Sequence, residues 1–252
     1  MQKFTQNTLR GAGPFYFHGN NLGILMIPGG GGGTCADLKY IAEDVHDRIG
    51  CTISIPLLPG FGTSPKDLRY TQIEDWKNAL DEELLLLKKT CNKIIAGGHS
   101  LGGVLALILV STYDLDGVFT ISAPIGVKSF LSKLVPFIRL FKKYYSIPAK
   151  KFREETNGKW IGYEKIPINQ ATKMNKLIRE MKMILPIIKC PALLLQGRLD
   201  SVIKHNSMEY IFENIDSQVK RKVWLENNDH PILESPDHEI IVSEIINFIN
   251  QI

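Results

Sequence analysis

The sequence predicts an α/β fold, with a mostly parallel central sheet, helices on both faces and an inserted helical cap. Three observations predict it. Short apolar runs alternate with longer stretches of helical spacing over most of the chain. The alternation fails once, across a strongly basic stretch beginning near residue 124. The 252 residues are 44% hydrophobic, enough for one large domain with a substantial core and a modest insertion.

In chain order, the strand-like runs are Phe15–His18, Gly23–Pro28, Cys51–Ile55, Lys93–Ala96, Gly117–Ser122, Pro191–Gln196 and Lys222–Leu225. The first two have no helix between them and are expected to pair antiparallel. Ala36–Ile49 sets Leu38, Ile41, Ala42 and Val45 on one face of a helix. Thr71–Lys89 does the same with Ile73, Trp76, Leu80, Leu84 and Leu87. Leu101–Thr112 is almost wholly apolar, as suits a helix buried on most sides. Asp237–Ile249 follows a proline, opens on acidic residues and aligns Ile241, Ile245 and Ile249.

Residues 124–190 hold fifteen Lys/Arg against four Asp/Glu, a net of +11, while the remainder of the chain has a net of −7. Two amphipathic patterns lie there, one from Val127 to Phe141 and one from Met174 to Leu185. The expected division is therefore a core of residues 1–123 and 189–252 with a helical cap at 124–188.

Composition excludes several classes. The overall charge of +4 is mild, and no zinc-finger or RNA-recognition pattern occurs, so no nucleic-acid partner is expected. No apolar run approaches the roughly 18–20 residues that span a bilayer. The opening residues are polar, and the four cysteines are widely spaced without a CxxC pair. A reduced, cytoplasmic protein without metal is the expectation.

The sharpest chemical signal is Gly98-His99-Ser100-Leu101-Gly102, with a strand before it and a buried helix after. A strand turning directly into a helix strains the backbone at the turn and makes the serine side chain project. Residues two before and two after then crowd each other, and glycine fits both places. A serine hydroxyl needs a base, and the base needs an orienting acid. Of six histidines, His99 points away from the serine, and His18 and His46 sit on a strand and a helix. His205 and His238 begin helices. His230 instead occupies a short polar loop after a strand, where open α/β sheets place working groups. Asp200 follows the strand Pro191–Gln196 in the same manner, and Asp229 is a weaker second choice for the acid.

A carbonyl under attack also needs donors for its negative oxygen. The run Gly29–Gly33 follows an early strand and precedes a helix, and no Gly-Lys-Ser/Thr follows to make it a phosphate loop. The backbone N–H groups of Gly31 and Leu101 are the expected donors, with Gly30 beside the substrate.

These motifs together resemble the α/β-hydrolase superfamily, in particular the bacterial carboxylesterase and monoacylglycerol lipase-like group. The matching strings are the glycine run leading into Cys35-Ala-Asp-Leu, Leu58-Pro-Gly-Phe-Gly-Thr-Ser-Pro65, Gly98–Gly103, Ser122-Ala-Pro124, Gly197-Arg-Leu-Asp200 and Asp229-His-Pro231. The resemblance implies the α/β-hydrolase fold, a Ser100–His230–Asp200 triad, a lid after Pro124, and ester substrates with short to medium acyl groups or monoacylglycerols, cleaved without a cofactor. It also exposes a departure. Related oxyanion loops often read His-Gly-apolar, where this chain has Gly29-Gly30-Gly31.

The cap would offer an apolar inner face to an acyl chain through Phe130, Leu134, Phe137, Met174, Leu177 and Met181. Its basic outer face suits a weak contact with anionic lipid surfaces. Thioester hydrolysis or acyl transfer on the same triad, and a non-catalytic ligand-binding protein on the same scaffold, are the rival readings.

Overall fold

The computed structural model describes residues 8–128 and 142–252. Seven strands form one sheet: β1 (Phe15–Phe17), β2 (Leu22–Ile27), β3 (Thr52–Ile55), β4 (Lys93–His99), β5 (Gly117–Ile121), β8 (Ala192–Gly197) and β9 (Lys220–Leu225). Their spatial order is β1-β3-β2-β4-β5-β8-β9, parallel except for β1. The expectation that the first two strands pair with each other is corrected here. β1 runs antiparallel to β3, whereas β2 is taken on both sides by β3 and β4. A six-residue strand buried from Gly23 onward has no free edge to offer a short, half-exposed neighbour.

Helices α1 (Ala36–Ile49) and α8 (His238–Gln251) cover one face, packed against each other. Their apolar sides bury Leu38, Ile41, Val45, Ile241 and Ile245 against Ile24, Ile53, Ile95 and Phe119 of the sheet. On the other face lie α2 (Pro65–Tyr70), α3 (Ile73–Leu87), α4 (Leu101–Thr112) and α7 (Ser207–Asn214). The helix expected over Thr71–Lys89 is α3, and α2 precedes it as a short helix that the periodicity did not mark. Ser64 caps α2 by accepting the Asp67 N–H at 3.1 Å, and Pro65 sits at its first turn, where a missing N–H costs nothing.

The interruption expected after β5 carries strands as well as helices. β6 (Tyr144–Ser146) and β7 (Lys165–Pro167) form a separate antiparallel pair, with α5 (Ala149–Glu155) between them and α6 (Asn169–Ile184) after them. α6 lies on α4, which explains why α4 is apolar nearly all round: it is covered by sheet on one side and by α6 on the other. Side chains at the start of α6 also finish α2. Asn169 donates to the Arg69 carbonyl at 2.8 Å, while Gln170 and Lys173 donate to that of Leu68 at 2.9 and 3.0 Å. Those carbonyls end a helix and have no partner within it. Most of the amphipathic pattern from Val127 to Phe141, including Phe130, Leu134 and Phe137, lies outside the described residues.

All four cysteines are free thiols. Among the described residues no helix is long and apolar enough to cross a membrane, and no cluster of His, Cys, Asp and Glu could hold a metal ion.

Candidate active site

The parallel strands β4, β8 and β9 all end at the same edge of the sheet, and a polar residue follows each end: Ser100, Asp200 and His230. Ser100 has φ 52° and ψ −113°, a conformation that L-residues seldom adopt. The turn closes only because its flanks are glycines. A Cβ at Gly98 would lie 2.4 Å from the Gly102 carbonyl carbon, and one at Gly102 would lie 1.9 Å from the Ile27 oxygen. The Ser100 N–H bonds to the Ile121 carbonyl at 2.9 Å, fastening the turn to β5.

The three side chains, 100 and 30 residues apart in sequence, meet. His230 Nε2 lies 3.0 Å from Ser100 Oγ, and His230 Nδ1 lies 2.8 Å from Asp200 Oδ2. Asp200 has no exposed surface. Burial pushes its carboxyl upward, but the hydrogen bond and charge of His230 and the N–H groups of Ile203 and Val202 outweigh it and hold the group below its ordinary range. Those N–H groups reach Oδ1 at 3.0 and 2.9 Å. An ionised carboxylate only accepts, so the His230 proton sits on Nδ1 and Nε2 is left to accept from the serine hydroxyl.

Asp229 is no partner of the imidazole. Its carboxylate accepts the Ser201 N–H and the His230 N–H, both at 2.7 Å, and the Ser201 hydroxyl at 3.1 Å. It ties the loop holding the acid to the loop holding the histidine. Adjacency in sequence gave no sign of that role. Asn228, fully buried, braces the same loop by donating to the Asp229 and Pro231 carbonyls. Of the other histidines, only His99 adjoins the site, and four lie elsewhere: His46 bonds the Cys51 carbonyl, His205 stacks on Trp224, His238 bonds Asp44, and His18 lies beside Tyr16 on the β1 side.

The glycine run Gly29–Gly33 passes over the start of α4, with Gly30 against the Leu101 side chain. Gly31 has φ 71° and open space where a Cβ would stand. Leu101 is the first residue of α4, where the helix supplies no partner for the N–H. The loop is held from the far side by the stretch between α5 and β7. Tyr163 donates its N–H to the Gly32 carbonyl at 3.0 Å, and the Thr34 hydroxyl donates to the Ile161 carbonyl at 2.9 Å. The Tyr163 hydroxyl in turn donates to the Gly60 carbonyl at 2.8 Å and accepts the Thr63 N–H at 2.6 Å. Of the residues expected to line an acyl site, Leu177 and Met181 have no exposed surface and pack in the cluster around α4, while Met174 is half-buried at its margin.

Asp37, in the first turn of α1, faces the end of the same loop, and a Cβ at Gly33 would collide with its carboxylate. Its Oδ1 is buried without a partner among the described residues, and burial raises the carboxyl from 3.8 to about 7. The folded protein then binds a proton there that the unfolded chain has already released, so stability falls as pH rises from about 4 through 7. Asp37→Asn is expected to melt a few degrees above the wild type at pH 8, with the gap closing at pH 4. Melting curves at both pH values check this, and a gap independent of pH would refute it.

A profile of the serine aminopeptidase S33 hydrolase family matches residues 23–237. The chain belongs to this family. The S33 hydrolase is 28% identical over 243 residues to a carboxylesterase of Bacillus subtilis (strain 168), covering 95% of this chain and 96% of the relative. It is 29% identical over 241 residues to a thermostable monoacylglycerol lipase of Bacillus sp. (strain H-257), covering 95% of each. Among solved structures, one reported for the metagenome-derived lipolytic enzymes LipS and LipT superposes with a TM-score of 0.88 at 26% identity, over 97% of this chain and 100% of the other. The monoacylglycerol lipase of Paleococcus ferrophilus shares the fold at TM-score 0.76 and 19% identity, over 94% and 98%. The α/β-hydrolase fold and the resemblance read from the motifs are thereby established.

Proposed function

We propose that this S33 hydrolase is a serine esterase that cleaves carboxylic esters of short or medium acyl chains, monoacylglycerols included, through an acyl-enzyme on Ser100. The observation that carries the reading is the unbroken chain of hydrogen bonds from Ser100 Oγ through His230 to Asp200. His230 Nε2 takes the serine proton as Oγ bonds to the ester carbonyl carbon. The resulting oxyanion is held by the N–H groups of Gly31 and Leu101, each such donor being worth roughly 2.7–4 kcal/mol in the transition state. The C–O bond to the alcohol breaks, and His230 returns the proton to the departing alkoxide. Water then repeats the sequence on the acyl-enzyme, its proton passing through His230 to Ser100 and its oxygen leaving with the acid. Asp200 keeps the Nδ1–H tautomer and balances the imidazolium. No cofactor enters any step.

Residues 124–188 would act as a cap on this chemistry, which fits the way Ile161–Ile166 abuts the glycine loop. The ester names of the Bacillus relatives favour esters over the peptide chemistry in the family's description. A panel decides it: p-nitrophenyl esters from acetate to palmitate, monoacylglycerols, an acyl-CoA and an aminoacyl p-nitroanilide. Esters or monoacylglycerols of up to about ten carbons should give the highest kcat/KM. A dominant rate on the acyl-CoA or the anilide would replace the proposal, and no turnover together with no fluorophosphonate labelling would favour the non-catalytic reading.

A further inference from the structure

One buried ionisable group that this mechanism leaves unused touches the Ser100 turn, the His230 loop and the glycine loop. His99 ends β4, immediately before Ser100, and is 6% exposed. Its Nε2 lies 2.9 Å from the main-chain carbonyl oxygen of His230. A carbonyl only accepts, so Nε2 carries the proton and donates it. Nδ1 is then a bare acceptor, buried and without a partner among the described residues. It faces the glycine loop: a Cβ at Gly29 would lie 2.9 Å from it. The ring stands 5.0 Å from the His230 ring, centroid to centroid, tilted by 45°. Burial, with the His230 ring adding to it, pushes the imidazole down to about 3, so His99 is uncharged near neutral pH.

Burying an imidazole with one idle nitrogen costs free energy that an apolar ring of similar size would avoid. What the imidazole supplies in return is the bond to the His230 carbonyl. Asp200 and Ser100 hold the His230 side chain, and Asp229 holds its N–H. The carbonyl is left to His99.

We propose that His99 is a positioning residue for hydrolysis: by donating to the His230 carbonyl it sets that imidazole's distance from Ser100, while its ring occupies the space that Gly29 leaves open beneath the oxyanion loop. The inference rests on the Ser100 reading. Any side chain at position 29 would meet the ring already standing there. A neutral ring suits the place, since a cation 5 Å away would oppose the imidazolium that forms on His230.

The test compares His99→Gln, whose amide nitrogen reaches the Nε2 position, with His99→Asn, whose amide stops near Nδ1, and with His99→Phe, which keeps an aromatic ring but no donor. kcat and KM for p-nitrophenyl butyrate, the rate of fluorophosphonate inactivation and the melting temperature are measured for each. Phe and Asn should lower kcat by about 10- to 100-fold with KM within threefold, as a misplacement of the base predicts. Inactivation should slow in proportion, and Gln should recover to within about fivefold of wild type. Equal kcat for Asn and Gln, or a Phe variant with wild-type kcat, overturns the proposal. So do losses that follow only the melting temperature. If Phe does not fold, the Asn–Gln pair decides alone. Ser100→Ala run alongside separates the two levels: an active Ser100→Ala protein defeats the parent reading, whereas an inert one beside equivalent Asn and Gln variants defeats only the role of His99.

Discussion

Ser100→Ala is expected to lose p-nitrophenyl butyrate turnover by a factor on the order of 10⁵–10⁶ while folding as before. The substitution removes the atom that bonds to the carbonyl carbon, and among the described residues no other hydroxyl bonds His230 Nε2. Alanine meets the same backbone strain at φ 52° as serine does, since both carry a Cβ. The loss of one hydroxyl–imidazole bond should therefore move the melting temperature by only a few degrees. Fluorophosphonate labelling should vanish with the activity. Turnover near the wild-type rate would remove Ser100 from the mechanism.

Asp200→Asn is expected to lower kcat by about 10⁴, the second largest effect, without removing a single heavy atom from the site. The amide oxygen can still accept the Val202 and Ile203 N–H groups, so the loop after β8 keeps its shape. The amide nitrogen then points at His230 Nδ1 and demands an acceptor there. The imidazole proton moves to Nε2, where it blocks acceptance of the serine proton. Unchanged melting with collapsed kcat identifies a tautomer effect. A loss of less than about tenfold would show that Asp200 does not set the imidazole's state.

Ser100, Asp200 and His230 were each legible in sequence because their signals are local. A glycine two residues to either side marks the turn, and a hydrophobic strand immediately upstream marks the other two as residues at the sheet's working edge. The fold class was legible for the same reason, since alternation of period and length is written along the chain. Features that depend on a distant partner were not. β1 resembles any short half-buried strand, and only the sheet decides that it pairs with β3. The bracket made by Asp229 needs Ser201 opposite it, and the role of His99 needs the His230 carbonyl 131 residues away. Helix α2 does carry a local signal: Ser64-Pro65 supplies a cap and a first-turn proline, the usual announcement of a helix, inside a longer motif.

The grip of Ile161 and Tyr163 on the glycine loop has an evolutionary and engineering corollary. The carbonyl of Gly32 and the hydroxyl of Thr34 look to the insertion for their partners. A shortened protein in which β9 and α8 were kept but that stretch was excised would retain Ser100, Asp200 and His230 yet leave the loop beside them unbraced. Lengthening or grafting within the insertion should therefore spare Ile161–Ile166, and diversity of substrate range has freer rein at positions that do not touch it.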